Sequence, residues 1–199
     1  MDIDSDLLHR PESPTGAGIV LTHGASANCR SPLLIAVAEF LVARGVTVLR
    51  CDLAFRWKRP SGPPHPNGAA EDRAGLRDAV EALRGMLSGP VYLGGHSYGG
   101  RQATMLAAEQ PDLAAGLLLF SYPLHPPGKP DAPRTAHFPS LRTKAAFVHG
   151  DRDPFGTLQK MTAALAMIPA QTLLCPISAA GHDLKKGRID LSPAIDFLF

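Results

Sequence analysis

The stretch Pro90-Val91-Tyr92-Leu93-Gly94-Gly95-His96-Ser97-Tyr98-Gly99-Gly100 decides the fold. An apolar run opens it and reads as a buried strand. A helix-compatible segment follows from about residue 98 to 110 and stops before Pro111. Between them stands Gly95-His96-Ser97-Tyr98-Gly99, a G-x-S-x-G pattern. A serine presented on so sharp a strand-to-helix turn needs small residues on both sides, because the neighbouring backbone packs closely. Gly100 and Ala103 extend the small face and let the helix lie against a sheet.

The same alternation continues in both directions. Upstream, Ile19-Val20-Leu21-Thr22 reads as a strand ending at His23-Gly24. Ser31-Pro32 then reads as an N-cap with proline in the first helical position. Leu33, Val37, Phe40 and Leu41 keep helical spacing up to Gly45, and Val46-Thr47-Val48-Leu49 forms the next strand, closed by Asp52. Residues 53–68 read as a proline-rich loop. A helix follows, with Leu76, Val80, Leu83 and Leu87 on one face and Glu71 and Asp72 in its first turn, where the helix dipole favours anions. Downstream, strands are expected at Leu117–Phe120, Ala145–Val148 and Thr172–Cys175. A helix is marked by Leu158, Met161, Leu165 and Ile168, and a short one opens at Ser192-Pro193. The 122–139 segment carries six prolines and reads as a loop, with His125 and His137 solvated.

Strands alternating with helices make βαβ units, hence an α/β fold: a mostly parallel sheet of about six strands with helices on both faces. The expected organisation is a leader, 1–16, and one domain, 17–199, with no repeat and no second core.

Composition narrows the function classes. Of 199 residues, 45% are hydrophobic and 19% charged, as in an ordinary globular chain. A net charge of +2 lacks the basic stripe that nucleic acid or a membrane surface demands. The longest useful apolar run, Leu113–Phe120, has eight residues, far short of a membrane span. The start, MDIDSD, has no apolar core of a secretory signal. Cys29, Cys51 and Cys175 are too few and too scattered for a disulfide framework or a CxxC site, so a reducing, cytoplasmic setting is the simplest expectation. Cys29 reads as a quiet small residue, with a redox-sensitive thiol as the alternative. No zinc spacing and no phosphate-binding glycine loop is present, so no cofactor and no metal is expected.

In such sheets chemistry sits at the carboxyl ends of the strands. A serine hydroxyl is a poor nucleophile until an imidazole takes its proton, and the imidazole needs a carboxylate to fix its tautomer. The partners come in the order serine, acid, histidine. His182, after the sixth expected strand, fits the base; His96 lies inside the turn and His149 inside a strand. The acid is Asp151 or Asp153. Alternation along a strand points both to one side. Asp153 is favoured because it lies further beyond the strand end and Pro154 restricts its backbone. Oxyanion donors are expected from the Tyr98 amide and from the loop after the first strand, at Ala25. Arg56 and Trp57, in the second strand's exit loop, and His23 are the expected substrate contacts. Lys58 and Arg59 flank the tryptophan.

With these residues in view, the chain resembles the small uncapped α/β-hydrolases, the dienelactone-hydrolase-like proteins and the hydrolase-like domain of an NSL-complex subunit. The resemblance is carried by LTHGASAN (21–28), SPLL (31–34), GGHSYGGRQA (94–103), SYPLHPPGKP (121–130), RTAHFPSL (134–141), HGDRDPFGT (149–157) and GHDL (181–184). It implies an α/β-hydrolase fold without a cap domain, with Ser97 as nucleophile, Asp153 as acid and His182 as base. Ser26 stands where the pattern has glycine, and serine stands where dienelactone hydrolases carry cysteine. The expected substrate is a small molecule or acyl group bearing an ester or thioester. The alternatives are a non-catalytic scaffold of the same fold that binds a partner protein, or an acyltransferase or perhydrolase using the same site.

Overall fold

The structure, a computed structural model, describes residues 5–199; the acidic start, residues 1–4, lies outside them. In chain order the elements are β1 (Leu8–His9), β2 (Gly18–Thr22), α1 (Pro32–Val42), β3 (Thr47–Cys51), α2 (Ala54–Lys58), α3 (Ala69–Arg84), β4 (Val91–His96), α4 (Tyr98–Glu109), β5 (Leu117–Phe120), β6 (Ala145–Gly150), α5 (Leu158–Leu165), β7 (Thr172–Ile177) and α6 (Ser192–Leu198). Among the described residues the sheet has seven strands in the order β1-β3-β2-β4-β5-β6-β7. All neighbours pair in parallel except the two-residue β1, which runs antiparallel on β3. That edge strand is one more than the six expected and falls within the expected leader.

The apolar strands are buried on both faces, which is why they read as continuous runs. Along β5, Leu117 and Leu119 join one core and Leu118 and Phe120 the other, the period-two alternation of a strand. Helices α3, α4 and α5 cover the first face with residues such as Leu76, Leu83, Leu106 and Met161. Helices α1 and α6 cover the second with Leu34, Leu41, Ile195 and Leu198. Pro32 starts α1 as expected, although the Ser31 side chain makes no capping bond. Pro176 sits in β7, where an edge strand tolerates the missing N–H.

One local expectation is corrected. The 53–68 segment is not all loop: Ala54–Lys58 form α2, and Pro66–Gly68 a short 3₁₀ turn. Asp72 stands in the first turn of α3, as expected. It is fully buried and accepts hydrogen bonds from the Phe55 amide (2.9 Å) and the Tyr98 hydroxyl (2.7 Å), so it ties α2 and the start of α4 to α3. Between β5 and β6 the chain carries only a 3₁₀ turn at Phe138–Ser140, so no cap domain covers the sheet. The chain steps from one side of β2 to the other between β3 and β4, and the crevice at the carboxyl ends of β2 and β4 holds the site.

Candidate active site

Ser97 joins β4 to α4 with φ 52° and ψ −116°. A non-glycine residue at positive φ is strained, and such strain persists only where the surroundings fix it. Here they do. The Ser97 amide donates to Phe120 O at 2.8 Å, and Ser97 O accepts from the Arg101 amide at 2.9 Å. A Cβ on Gly99 would lie 2.4 Å from His23 O, and one on Gly95 would lie 2.9 Å from Gly100 N. The glycines are therefore demanded by the packing of the turn against the β2 exit.

The hydroxyl of Ser97 lies 2.8 Å from His182 Nε2, and His182 Nδ1 lies 2.7 Å from Asp153 Oδ2. The tautomer that fits both has Nδ1–H donating to the carboxylate and Nε2 accepting from the serine. Asp153 is 4% exposed. Its second oxygen accepts the Phe155 amide at 2.8 Å, a local turn that holds the carboxyl group in one direction. His149 Nε2 donates to Gly156 O at 2.7 Å and so braces the same turn, 3.8 Å from Asp153 Oδ2. The loops after β6 and β7 are stitched together by Asp151 N to Ile177 O and Arg152 N to Ala180 O. A Cβ on Gly150 would lie 2.3 Å from Ala180 O, so glycine lets the two loops close. Asp151 itself points to solvent.

His96 contributes what the sequence did not disclose. Its Nε2–H donates to the backbone carbonyl of His182 at 2.9 Å. Burial, above all, holds its imidazole below the ordinary range, that is, neutral. The ring of Phe155 meets His182 edge-on, centroids 4.4 Å apart.

The loop after β2 is rigid for reasons equally hidden in the sequence. Gly24 O accepts from His23 Nδ1 at 2.8 Å and from the Ala27 amide at 3.1 Å. Since the peptide is planar and trans, fixing that carbonyl also fixes the Ala25 N–H on its opposite side. Arg56 donates to Ala25 O (2.8 Å), Ala27 O (2.9 Å), Arg59 O (3.1 Å) and Gly62 O (3.3 Å). Asp52 accepts from the Cys29 amide at 2.7 Å and lies 3.1 Å from His23 Nε2. Burial works against its charge, but those contacts outweigh it and hold its carboxyl below the usual range.

The three expected substrate contacts are thus not brought to the cleft. His23 is fully buried, and Arg56, 7% exposed, spends its guanidinium on backbone carbonyls. Trp57 is 59% exposed and lies outside the cleft lining. Nor are His125 and His137 solvated: His125 is buried and His137 half-buried on Thr104 Oγ1, 2.8 Å away. Cys29 is a packed thiol that burial pushes up to about 11, far from a reactive thiolate.

The cleft over Ser97 has a volume of about 670 Å³. Ala25, Tyr98, His96 and His182 line it beside the serine, with Phe155, Met105, Pro123 and Pro127 as apolar wall. Tyr98 is the first residue of α4, so its N–H has no acceptor within the helix. Arg101 and Arg134 complete the wall.

Comparison with known proteins agrees with this architecture. A dienelactone hydrolase from Anabaena variabilis superposes with a TM-score of 0.71 at 21% identity, over 90% of this chain and 82% of its own. A lidless α/β serine hydrolase from Xanthomonas campestris gives 0.73 at 18% identity, over 95% and 84%. Est1E of Butyrivibrio proteoclasticus, solved with ferulic acid bound, gives 0.74 at 18% identity, over 95% and 90%. At such identities the likeness is one of fold. The model of the alpha/beta hydrolase domain matches residues 15–192, and with nearly the whole chain inside that match, this protein belongs to the alpha/beta hydrolase family.

Proposed function

We propose that the protein is a serine hydrolase that cleaves an ester or thioester through an acyl-enzyme on Ser97. One observation carries the reading: the unbroken path Ser97 Oγ–His182 Nε2 (2.8 Å) and His182 Nδ1–Asp153 Oδ2 (2.7 Å), opening on a cleft. His182 takes the hydroxyl proton as Ser97 attacks the acyl carbon. Asp153, buried and held by the Phe155 amide, stabilises the imidazolium that forms. The oxyanion is held by the amides of Tyr98, at the free end of α4, and of Ala25, whose peptide His23 and Ala27 pin. His182 then protonates the leaving alcohol or thiol. Water, deprotonated by the same imidazole, releases the acid and restores the serine.

The fold neighbours named as a dienelactone hydrolase and a serine hydrolase support this reading over a scaffold. The test is a panel of p-nitrophenyl esters of rising chain length assayed with wild type and Ser97→Ala. Hydrolysis by the wild type that disappears in the variant supports the reading; equal rates in both overturn it.

A further inference from the structure

The arginines of this protein fall into three groups. Most have their guanidinium occupied. Arg56 serves four carbonyls; Arg73 meets Glu109 at 3.1 Å and Gln102 at 3.1 Å; Arg50 serves His9 and Cys29 O. Arg10, Arg142, Arg152 and Arg188 are exposed to solvent, whereas Arg101 and Arg134 are half-buried. Among the described residues neither side chain has a hydrogen bond or an ion pair, and Arg101 Nε is buried with no partner at all. Both line the cleft over Ser97, whose lining, among the described residues, contains no aspartate or glutamate. A half-buried guanidinium without an acceptor is costly, and a ligand in the cleft can supply acceptors to its terminal N–H groups.

Their placement is built. Arg101 stands one helical turn beyond Ser97, and its backbone N–H donates a hydrogen bond to Ser97 O that fixes it there. Its own carbonyl accepts from Thr104 Oγ1 at 2.8 Å. Arg134 hangs from a pinned backbone: its amide donates to Leu124 O at 2.7 Å and its carbonyl accepts from the buried Tyr122 hydroxyl at 2.6 Å. The two are near enough to feel each other. Burial first, and then the charge of Arg101, hold the Arg134 guanidinium below its ordinary range. Burial and the same Arg101 charge pull His137 down to about 4. Two like charges held together in a half-buried wall without a carboxylate are stabilised by a bound anion, and planar guanidinium forks suit carboxylate and phosphate.

We propose that Arg101 and Arg134 form an anion subsite of the Ser97 cleft, and that the substrate is an ester or thioester carrying a carboxylate or phosphate group. This rests on the serine-hydrolase reading, and the test separates the two. The probes are p-nitrophenyl pentanoate and mono(p-nitrophenyl) glutarate, which differ only in a terminal methyl against a carboxylate. The wild type is expected to favour the glutarate ester in kcat/KM. Arg101→Gln and Arg134→Gln should each lose about 10- to 100-fold more on the glutarate ester than on the pentanoate ester, the usual scale of a charge-assisted pair. Should a Gln variant fail to fold by circular dichroism, its Lys counterpart replaces it. It keeps the charge but not the fork, so a several-fold loss confined to the glutarate ester is expected. In parallel, glutarate and inorganic phosphate are titrated calorimetrically into Ser97→Ala and into the same variant carrying Arg134→Gln. Binding by the first that weakens at least about tenfold in the second supports the subsite, and the tighter of the two anions names the group. Where the wild type cleaves the esters, equal losses on both overturn the subsite and leave the serine-hydrolase reading standing. Where it cleaves neither, the titration decides: binding that depends on Arg134 keeps the subsite without the hydrolase, and no such binding removes it.

Discussion

The Nε2–H of His96 is donated to the main-chain carbonyl of His182, 2.9 Å away, so the residue before the strained serine holds the loop that carries His182. One turn of chain thereby fixes both ends of the Ser97–His182 hydrogen bond. His96→Ala removes that tie without touching the serine. We expect kcat for an ester to fall about 10- to 100-fold, the scale of a misplacement near 1 Å, with little change in KM. A steady-state comparison of the two parameters checks this; a rise in KM at constant kcat would assign His96 to substrate binding instead.

Asp153 and Asp151 separate cleanly. Asp153 is buried against His182 Nδ1, and Asp151 faces solvent. Asparagine at the orienting position presents the wrong hydrogen-bond pattern to the imidazole, so Asp153→Asn should cost on the order of 10⁴ in kcat. Asp151→Asn should cost less than about tenfold. Measured turnover of the two variants on one ester tests the assignment, and reversed losses refute it.

Identical glycine substitutions should act with opposite sign. A Cβ at Gly99 would lie 2.4 Å from His23 O, a backbone atom that cannot step aside, whereas nothing lies within 4 Å of one at Gly75, inside α3. Gly99→Ala should destabilise the fold by about 1–3 kcal/mol, as overpacking does. Gly75→Ala should stabilise it by about 0.5–1 kcal/mol through the helix preference of alanine. Urea unfolding of both variants reads the difference, and equal signs contradict the packing of the turn.

Four of the described histidines make the fold acid-sensitive. Burial, first, holds His9, His96, His137 and His149 below the ordinary imidazole range; the charge of Arg50 adds to it at His9, and those of Arg101 and Arg73 at His137, which lies at about 4. An unfolded histidine titrates near ~6.5. Between about 6.5 and 4 the unfolded chain takes up protons that the native state refuses, so stability is fully present above that window and declines as pH falls through it. Urea unfolding at pH 7, 6 and 5 should show this decline, and His137→Gln should make it shallower. An unchanged slope in that variant excludes His137 as a contributor.

How much of this was legible follows from how local each feature is. The serine turn is written in consecutive residues, because small side chains around Ser97 are a steric demand of the turn itself. The strand–helix alternation was equally readable, since strands buried on both faces must be continuously apolar. His182 and Asp153 could be located by order along the sheet, and the structure does bring both side chains to the serine. Arg56 and His23 misled, because a charged or aromatic residue beside a site looks the same whether it faces the cleft or the loop behind it. Only the path of the backbone shows that Arg56 meets four carbonyls. Arg101 and Arg134 are hidden for the same reason: 33 positions apart, they line one cleft only when the loop beyond β5 folds over α4. The β1 strand was invisible because two residues are too short for any period to register.

The central claim is that Ser97 is an activated nucleophile, and labelling with a fluorophosphonate followed by intact-mass and peptide mapping tests it most directly. The wild type should take up one adduct, located on Ser97, and Ser97→Ala should take up none while keeping its circular dichroism spectrum. An unlabelled wild type, or an adduct that persists in Ser97→Ala, would contradict it.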